Sequence, residues 1–315
     1  MKKIFSDNIP SNLCASVATI GFFDGVHLGH QHLIHQVVEE AKEREMESMV
    51  VTFDRHPRQV LSPDFHPQLL TSYEEKMVRL AKTGVDNCVV LRFTPEMASL
   101  SAADFMRHVL HGQLAVRRLV MGYDNRFGKG SAEGFDDYVR HGAALGMEVV
   151  QGAPLSVDGI RVSSSAIRQM LLQGDVETAT RCLGHQYTLV GRVVEGYQQG
   201  RRLGFPTANL LLEDVAKMLP APGAYVARVR LEGSMEMKRA VTNIGMRPTF
   251  QGHGMAIETH VINYDGDLYG KRMLVALTHR LREERKFEST GRLVAQLRED
   301  VRRANAIFDE EGLED

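Results

Sequence analysis

A chain of 315 residues, 43% of them apolar and 25% charged, is typical of a globular protein whose length favours two domains. Its net charge of -2 lacks the basic excess that neutralises phosphates, which argues against a nucleic acid or a membrane surface as the main partner. The three cysteines (Cys14, Cys88 and Cys182) form no CxxC pair, and without a signal-peptide pattern or an 18-residue apolar run the chain is predicted to be cytoplasmic.

The first 150 residues alternate between two hydrophobic periods. Short apolar runs that are typical of buried strands occupy residues 16–23, 48–53, 87–91 and 117–122. Between the first two runs, apolar side chains recur with helical spacing on one face: Leu33, Ile34, Val37, Val38 and Ala41. Strands that alternate with helices of this kind indicate parallel βαβ units.

Two short helices follow, and then the pattern changes. Residues 163–173 and 175–183 are predicted helices that end at Gly174 and Gly184. Beyond His185, turn residues separate closely spaced strand-like segments at 187–196, 223–233, 238–245, 257–263 and 271–281. One further helix is predicted near 289–308. This pattern predicts a small β-barrel with a C-terminal helix, and it divides the chain into domains 1–184 and 185–315.

The segment GFFDGVHLGH, residues 21–30, follows the first predicted strand. Parallel α/β sheets bind ligands beyond the carboxyl ends of their strands, and the glycines and free N–H groups at a helix start suit an anion. His27 and His30 have side chains that donate hydrogen bonds to phosphate oxygens. The segment therefore predicts a polyphosphate site. The alternatives are a metal site that includes His32 and His35, and an ordinary turn with surface histidines.

The segment VSSSAIR, residues 162–168, is similar in kind. Ser163, Ser164 and Ser165 stand at a predicted helix start, and Arg168 follows one turn later. Hydroxyls, free backbone N–H groups and a guanidinium together suit a second anion site. The alternative is N-capping of the helix by a serine.

The segment GYDNRFGKGS, residues 122–131, is glycine-rich but is not a P-loop. Five residues rather than four separate Gly122 from Gly128, and a glycine follows the lysine. It is a loop beyond a strand end that carries Asp124, Arg126 and Lys129. The alternative is a solvated charged loop.

The segment GRRLGFPTANL, residues 200–210, carries Thr207 and Asn209 two positions apart. In an extended segment such side chains share a face, and a hydroxyl and an amide oxygen are ligands that Mg²⁺ accepts. The alternative is a proline turn followed by an Asn cap.

The segment IETHVIN, residues 257–263, alternates like a strand. This places Glu258 and His260 on one face and Ile257, Thr259 and Val261 on the other. If the apolar face lines the barrel, Glu258 lies at a rim, where a carboxylate can act as a general base. The alternative is a solvated strand glutamate.

The N-terminal segments, together with VTFDRHP at 51–57, resemble the adenylyltransferase half of bacterial bifunctional riboflavin kinase/FAD synthetases, within the HxGH nucleotidyltransferases. The resemblance implies a Rossmann-like fold that makes FAD and pyrophosphate from FMN and ATP with Mg²⁺, by direct attack of the FMN phosphate. It implies His27 and His30 as catalytic residues and Asp124 as a flavin contact. The implied nucleotide and phosphate contacts are Gly21, Phe22, Asp24, Gly25, Ser163, Ser164, Ser165 and Arg168.

Three positions depart from that family's usual pattern. Ser165 stands where threonine is usual, which keeps the hydroxyl. Asn125 replaces the phenylalanine of DFRFG, and Arg55 replaces the proline of PHP. The last two leave nearby flavin contacts open but do not alter the phosphate segments.

The C-terminal segments GRRLGFPTANL, NIGMRPTF and ETHVINYDGDLYGK resemble the riboflavin kinase half of the same family. The resemblance implies a six-stranded β-barrel that phosphorylates riboflavin with ATP. It implies Thr207 and Asn209 as Mg²⁺ ligands, Gly204 and Pro206 as nucleotide contacts, and Glu258 as the base toward the ribityl 5′-hydroxyl. Riboflavin, FMN, FAD and ATP are then the expected partners.

Two other readings of the whole chain compete with this one. A class I aminoacyl-tRNA synthetase also has an HxGH loop, but it needs a KMSKS-like segment where this chain has VSSSAIR. A flavin-binding module without catalysis is opposed by the presence of His27, His30, Thr207, Asn209 and Glu258 together.

Overall fold

The computed structural model describes residues 1–62, 64–123, 125–129, 133–196, 199–249 and 252–312. The chain forms two compact units, Met1–Ser164 and Ser165–Asp315. None of the helices in these described ranges combines the length and the apolar composition needed to cross a membrane.

The first unit contains a six-stranded parallel sheet with the order β1-β4-β3-β2-β5-β6. Its strands are β1 (Lys2–Phe5), β2 (Ser16–Ile20), β3 (Glu47–Phe53), β4 (Asn87–Leu91), β5 (Val116–Met121) and β6 (Glu148–Gln151), and a small hairpin follows with β7 (Ser156–Val157) and β8 (Ile160–Arg161). The four predicted strands are confirmed. The edge strands β1 and β6 were not predicted, because each has four residues and is half polar.

Helices cover the sheet, and local sequence explains where they begin. They are α1 (Leu28–Glu43), α2 (Pro57–Leu61), α3 (Tyr73–Ala81), α4 (Pro95–Ser99), α5 (Ala102–Asp104), which continues as a π-helix over Phe105–Gln113, and α6 (Phe135–Ala143). The Ser72 hydroxyl accepts a hydrogen bond from the N–H of Glu75, and the Glu75 carboxylate accepts one from the N–H of Ser72, so a capping box starts α3. In α1, Leu33, Ile34, Val37 and Ala41 are buried against the sheet. This architecture confirms the predicted Rossmann-like domain.

The strand order gives this sheet a switch point between β2 and β5. Successive strands lead from β2 to β3 and β4 on one side, and from β5 to β6 on the other. Connections therefore leave the carboxyl ends of β2 and β5 in opposite directions, and ligands of such sheets bind in the crevice that this opens. Residues 21–27 leave β2 and residues 122–129 leave β5, so both glycine-rich segments lie at that crevice.

The second unit is a closed antiparallel barrel preceded by two helices. The helices are α7 (Ser164–Gln173) and α8 (Val176–Leu183), and a short α9 (Gln199–Arg202) and a long α10 (Thr290–Glu310) follow later in the chain. The strands are β9 (Tyr187–Val194), β10 (Ala208–Leu212), β11 (Gly223–Leu231), β12 (Lys238–Thr249), β13 (Gly252–Val261) and β14 (Arg272–Glu283), which close in the order β10-β13-β12-β11-β14-β9. The predicted six-stranded barrel with a C-terminal helix is confirmed.

Helix α10 packs on the outer face of the barrel. Its Ala304 and Phe308 are buried against Val226, Val241 and Leu281. A bidentate ion pair between Arg282 on β14 and Asp300, which is only 1% exposed, adds a polar attachment.

The hairpin of α7 and α8 packs with the barrel. Arg280 on β14 donates hydrogen bonds from its guanidinium to the carbonyls of Gln173 and Pro222, and its backbone N–H donates to Glu177. Packing divides the chain into two units between Ser164 and Ser165, in the first turn of α7. The sequence pattern instead places a domain border after Gly184. That border remains a prediction about which residues suffice for each activity.

Candidate active sites

The loop that leaves β2 has an unusual backbone. Phe23 and Val26 have φ values of 55° and 40°, and Gly25 has 84°. Left-handed backbone is an outlier for a β-branched residue such as Val26, and each such position costs on the order of 1–3 kcal/mol. The loop keeps this shape only because surrounding groups hold it.

One set of these groups comes from the segment before α3. The Asp24 carboxylate, which is buried, accepts hydrogen bonds from the N–H groups of Leu70, at 2.9 Å, and Thr71, at 3.1 Å. The Thr71 hydroxyl accepts from the N–H of Gly25 at 3.0 Å. In the described contacts the Asp24 carboxylate thus braces the loop against the segment before α3.

A second set of groups donates hydrogen bonds to backbone carbonyls of the loop. Thr52 on β3 donates to the Phe22 carbonyl, Ser164 donates to the Asp24 carbonyl at 3.0 Å, and Gln31 donates to the Val26 carbonyl at 2.8 Å. Ser164 is the first residue of α7, so the structure brings one of the three predicted serines to the loop.

The other residues predicted to bind phosphate lie on several segments. A Cβ added to Gly29 would lie 3.2 Å from the Val162 carbonyl, so glycine permits this close approach to the segment that carries Ser163. Gly21 begins the loop and pairs through its N–H with the Val51 carbonyl. Ser165 and Arg168 are on α7 and belong to the second unit.

His27 and His30 form a stacked pair at the start of α1. Their ring centroids are 3.6 Å apart and the planes differ by 16°. His27 Nδ1 accepts a hydrogen bond from the backbone N–H of His30, so His27 is the N-cap of α1 and its neutral form carries the proton on Nε2. His30 Nδ1 is buried and has no hydrogen-bond partner among the described residues. A buried polar atom without a partner is costly and marks a place for a ligand.

Burial and nearby positive charge keep His30 neutral. Burial, followed by the charges of His27 and Lys76, lowers the pKa of His30 well below 6.5. A neutral His30 therefore predominates at pH 7, and two parallel rings can stack without repulsion between cations. The pair can offer imidazole N–H groups to an anion.

The metal alternative finds no support in this geometry. Among the described residues, no three His, Cys, Asp or Glu side chains are grouped so that they could hold a metal ion. His32 Nε2 is 3.0 Å from the Gln36 side-chain amide, and His35 is exposed.

An apolar cavity of about 640 Å³ lies in the same unit. It is lined by four aromatic rings from distant segments, Phe53, Phe93, Phe105 and Phe127, and by the cationic residues Arg126 and Lys129. Sequence reasoning did not find this cavity, because its rings are separated by tens of residues. The signal available was the placement of aromatic residues at or just after strand ends.

Asn125 and Arg55, two of the three residues linked to flavin contacts, are among the described residues. Asp124 lies outside the described residues. Asn125 donates a short hydrogen bond to the Ile20 carbonyl at the end of β2, which ties the 122–129 loop to that strand. Arg55 is exposed and 3.5 Å from the Asp54 carboxylate.

A buried lysine is the residue that sequence reasoning missed at this site. Lys76 on α3 is 2% exposed, and its ammonium donates to the carbonyls of Phe22 and Phe53, both at 3.1 Å. Burial lowers its pKa to about 8. In an amphipathic helix a lysine is expected on the solvent face, so only packing reveals it.

In the barrel, the predicted alternation of β13 is confirmed. Ile257, Thr259 and Val261 are buried inside, whereas Glu258 is on the outer face and only half-buried. Register places Glu258 directly opposite Asn209 on β10 and Asn243 on β12. Directly opposite side chains are about 4.5–5.5 Å apart at Cβ, so these three polar groups form one row across three strands.

Two cavities meet at Thr207. One, of about 350 Å³, is lined by Thr207, Pro206 and the segment 264–269. The other, of about 240 Å³, is lined by Thr207, Glu258 and Asn243 and is walled by α10 through Leu293 and Leu297. Glu258 therefore lies in a covered pocket on the outer face rather than at an open rim.

The segment 204–207 that separates the cavities is held in place by His260. Its Nδ1–H donates to the Pro206 carbonyl at 2.9 Å, and its ring contacts Phe205 edge-on. Gly204 has a φ of 81°, which glycine tolerates, and it turns the chain into this segment. A Cβ on Gly196 would lie 2.2 Å from the Asn209 amide, so that glycine leaves room for the side chain.

The lowered pKa of His30 predicts how the stability of the first unit depends on pH. Below about pH 6.5 the unfolded chain binds the His30 proton and the folded chain does not. The free energy of unfolding should therefore decrease as the pH is lowered, by at most about 1.4 kcal/mol per pH unit. We expect His30→Gln to flatten this slope in denaturant unfolding at about pH 7.5, 6.5 and 5.5. His35→Gln, which changes an exposed histidine on the same helix, should keep the parental slope. An unchanged slope in His30→Gln would contradict the burial argument.

Comparisons with known proteins match a different family model to each part of the chain. A family model described as FAD synthetase matches residues 9–166, and one described as riboflavin kinase matches residues 183–308. The chain is 36% identical over 292 residues to the bifunctional riboflavin kinase/FMN adenylyltransferase of Escherichia coli (strain K12), covering 93% of this chain and 92% of that protein. It is 38% identical over 296 residues to the protein of the same name from Pseudomonas fluorescens, covering 92% of each.

A solved structure is similar over both units. A crystal structure of a protein named as a macrolide-efflux protein from Streptococcus pneumoniae matches with a TM-score of 0.86 and 30% identity, covering 96% of this chain and 98% of that chain. That name describes the other protein, while both family models and the curated relatives agree with each other. The chain belongs to the family of bifunctional riboflavin kinase/FMN adenylyltransferases, which combine a kinase with a nucleotidyltransferase.

Proposed function

We propose that this chain makes FMN from riboflavin and ATP in its barrel unit, and FAD from FMN and ATP with residues of its first unit. The observation that carries the second step is the stacked His27–His30 pair at the switch point of a parallel sheet, in which His30 Nδ1 is buried without a partner among the described residues. The observation that carries the first is Thr207 between two cavities, one of which contains Glu258.

In the adenylylation step, an oxygen of the FMN phosphate attacks the α-phosphorus of ATP. The bond from that phosphorus to the oxygen bridging to the β-phosphate breaks, and pyrophosphate leaves. His27 and His30 donate hydrogen bonds to phosphate oxygens where charge develops, which stabilises the transition state. Gly21, Phe22, Asp24 and Gly25 form the loop around the phosphates, and Ser163 and Ser164 hold the outer ones. Ser165 and Arg168 are proposed as further phosphate contacts on the resemblance alone.

The flavin ring of FMN would occupy the aromatic cavity of about 640 Å³. A flat apolar ring system stacks favourably on Phe and Tyr side chains. Arg126 and Lys129 offer positive charge to the phosphate of FMN. Asp124 is proposed as a further flavin contact, on the resemblance alone.

In the kinase step, Glu258 accepts the proton of the riboflavin 5′-hydroxyl while that oxygen attacks the γ-phosphorus of ATP. The bond to the bridging oxygen breaks and ADP leaves. We place the nucleotide in the cavity beside Gly204 and Pro206, and riboflavin in the cavity under α10, so that the reacting atoms meet near Thr207.

The oxygen donors of Thr207 and Asn209 suit Mg²⁺, since this ion prefers hard oxygen ligands and completes its shell with water and substrate phosphates. Bound Mg²⁺ supplies positive charge that offsets charge developing on the phosphates. Thr207 lines both cavities and Asn209 stands opposite Glu258, so the residues present fit this role. A cytoplasmic location stays a prediction, in keeping with three free cysteines.

The two steps should separate in a His30→Ala variant. We expect FMN adenylylation to fall by about 10²–10³-fold in kcat, because one transition-state hydrogen bond is lost. Riboflavin phosphorylation, measured in the same preparation, should be unchanged. An equal loss in both reactions would indicate misfolding or a shared site.

The base assignment is tested by Glu258→Gln. Glutamine keeps the size and one acceptor oxygen but cannot take the proton, so riboflavin phosphorylation should fall by about 10²–10⁴-fold while adenylylation of supplied FMN persists. Thr207→Ala serves as the comparison, because added Mg²⁺ should partly restore that variant and not Glu258→Gln. Phosphorylation within a few-fold of the parent would make Glu258 a solvated strand residue.

We further propose that residues 185–315 suffice for the kinase. A fragment 185–315 should phosphorylate riboflavin and make no FAD. It should melt at a lower temperature than a fragment 165–315, because α8 buries Val176, Ala179 and Leu183, and the shorter fragment lacks it. If only the longer fragment folds and is active, the border lies before α7.

A further inference from the structure

Lys76 is a buried cation with no ion-pair partner within 4 Å among the described residues. Its side chain is on α3 in the first unit and 2% exposed. No described carboxylate lies within 4 Å of its ammonium, whose three donors are used by the carbonyls of Phe22 and Phe53 and, at 3.4 Å, by the Thr52 hydroxyl. Isolated buried charges are costly, and buried lysines are normally paired.

The contacts of Lys76 join two parts of the proposed adenylylation site. Phe22 belongs to the strained loop before His27, and the Phe22 ring also lies 4.1 Å from the ammonium. Phe53 ends β3 and lines the aromatic cavity. One ammonium therefore holds the loop proposed for the phosphates against the wall proposed for the flavin.

We propose that Lys76 is a positioning residue for FMN adenylylation, whose ammonium fixes the Phe22 and Phe53 carbonyls and whose buried charge, with no described carboxylate within 4 Å, is offset by the polyphosphate bound at the 21–30 loop. This inference rests on the adenylylation site proposed above. The polyphosphate would act on the ammonium through its electric field. The charge of Lys76 already acts on His30 in this way, and Lys76 binds the Phe22 carbonyl of the same loop.

Titration makes the role of Lys76 measurable. The ionisable groups that face it are Asp24, Asp54, Cys88 on β4, His30 on α1 and Tyr73 on its own helix. Burial raises the pKa of Cys88 to about 11 and raises that of Tyr73, while the pKa of His30 is lowered. Of these three and Lys76, only Lys76, whose pKa burial lowers to about 8, titrates near pH 8.

A nearby anion favours the charged form of an amine and raises its pKa. Binding of inorganic pyrophosphate to the full chain at about pH 8.5 should therefore be accompanied by uptake of a proton by Lys76. Calorimetric titration in two buffers of different ionisation enthalpy measures this uptake. Proton uptake should be larger in the parent and in Lys82→Met, which removes an exposed lysine at the end of the same helix, than in Lys76→Met, since proton exchange by pyrophosphate itself is common to all three.

Kinetics test the positioning role. In Lys76→Met we expect kcat for adenylylation to fall by about 10–10²-fold, as misplaced reacting groups do. The alkaline fall of kcat/KM near pH 8 should disappear, and the melting temperature should stay the same or rise because an unpaired buried charge is gone. Riboflavin phosphorylation by the same preparation should be unchanged.

Several outcomes overturn the inference. One is adenylylation within threefold of the parent with the same pH profile, and another is a loss of activity that only follows a fall in melting temperature. If Lys76→Met does not fold, Lys76→Arg decides, because a guanidinium stays charged and pyrophosphate binding should then take up fewer protons than in the parent. Equal uptake in the two proteins removes the proposed counter-charge. If the parent binds pyrophosphate with proton uptake but makes no FAD, the proposed function fails and the charge role of Lys76 stands.

Discussion

The first unit depends on a loop that its own backbone disfavours. Three of the four residues 23–26 have left-handed φ values, and two of them are not glycine. Groups from β3, from the segment before α3, from α3 itself and from the start of α7 hold this loop. The histidine pair follows directly, with His27 as the cap of α1. The contacts that hold the loop therefore also position the two histidines. The strained backbone lies next to the residues proposed to act in adenylylation.

The barrel depends on the parity of its strands. With side chains alternating at every residue, Thr242 and Thr259 meet inside, where their hydroxyls are 3.0 Å apart, while Glu258 is left outside between two asparagines. A slip of one residue would exchange these positions and bury the carboxylate in the barrel. The apolar interior and the packing of α10 thus fix the register on which the proposed kinase site depends.

Lys76 and the aromatic cavity show where sequence reasoning stops. The string YEEKMVRL has a capped, amphipathic pattern, and nothing local distinguishes its lysine from the solvated lysines of other helices. Its burial follows from the close packing of α3 under the loop after β2, which is a contact between distant segments. The aromatic rings of the cavity converge for the same reason. The order of the strands in the sheet, rather than separation along the chain, sets the distances between Phe53, Phe93, Phe105 and Phe127.

Local pattern alone determined a good part of this protein: four core strands of the sheet, the two helices that end at Gly174 and Gly184, the alternation around Glu258, and the loops suited to phosphate. These features depend on residues within one turn or one strand of each other. Only the tertiary structure decided that two short polar segments complete the sheet as β1 and β6, that α7 and α8 pack with the barrel through Arg280, and that α10 covers Glu258. It also decided the burial of Lys76. Each of these depends on contacts between segments far apart in the chain, whose free energy comes from burial and pairing that no short stretch of sequence contains.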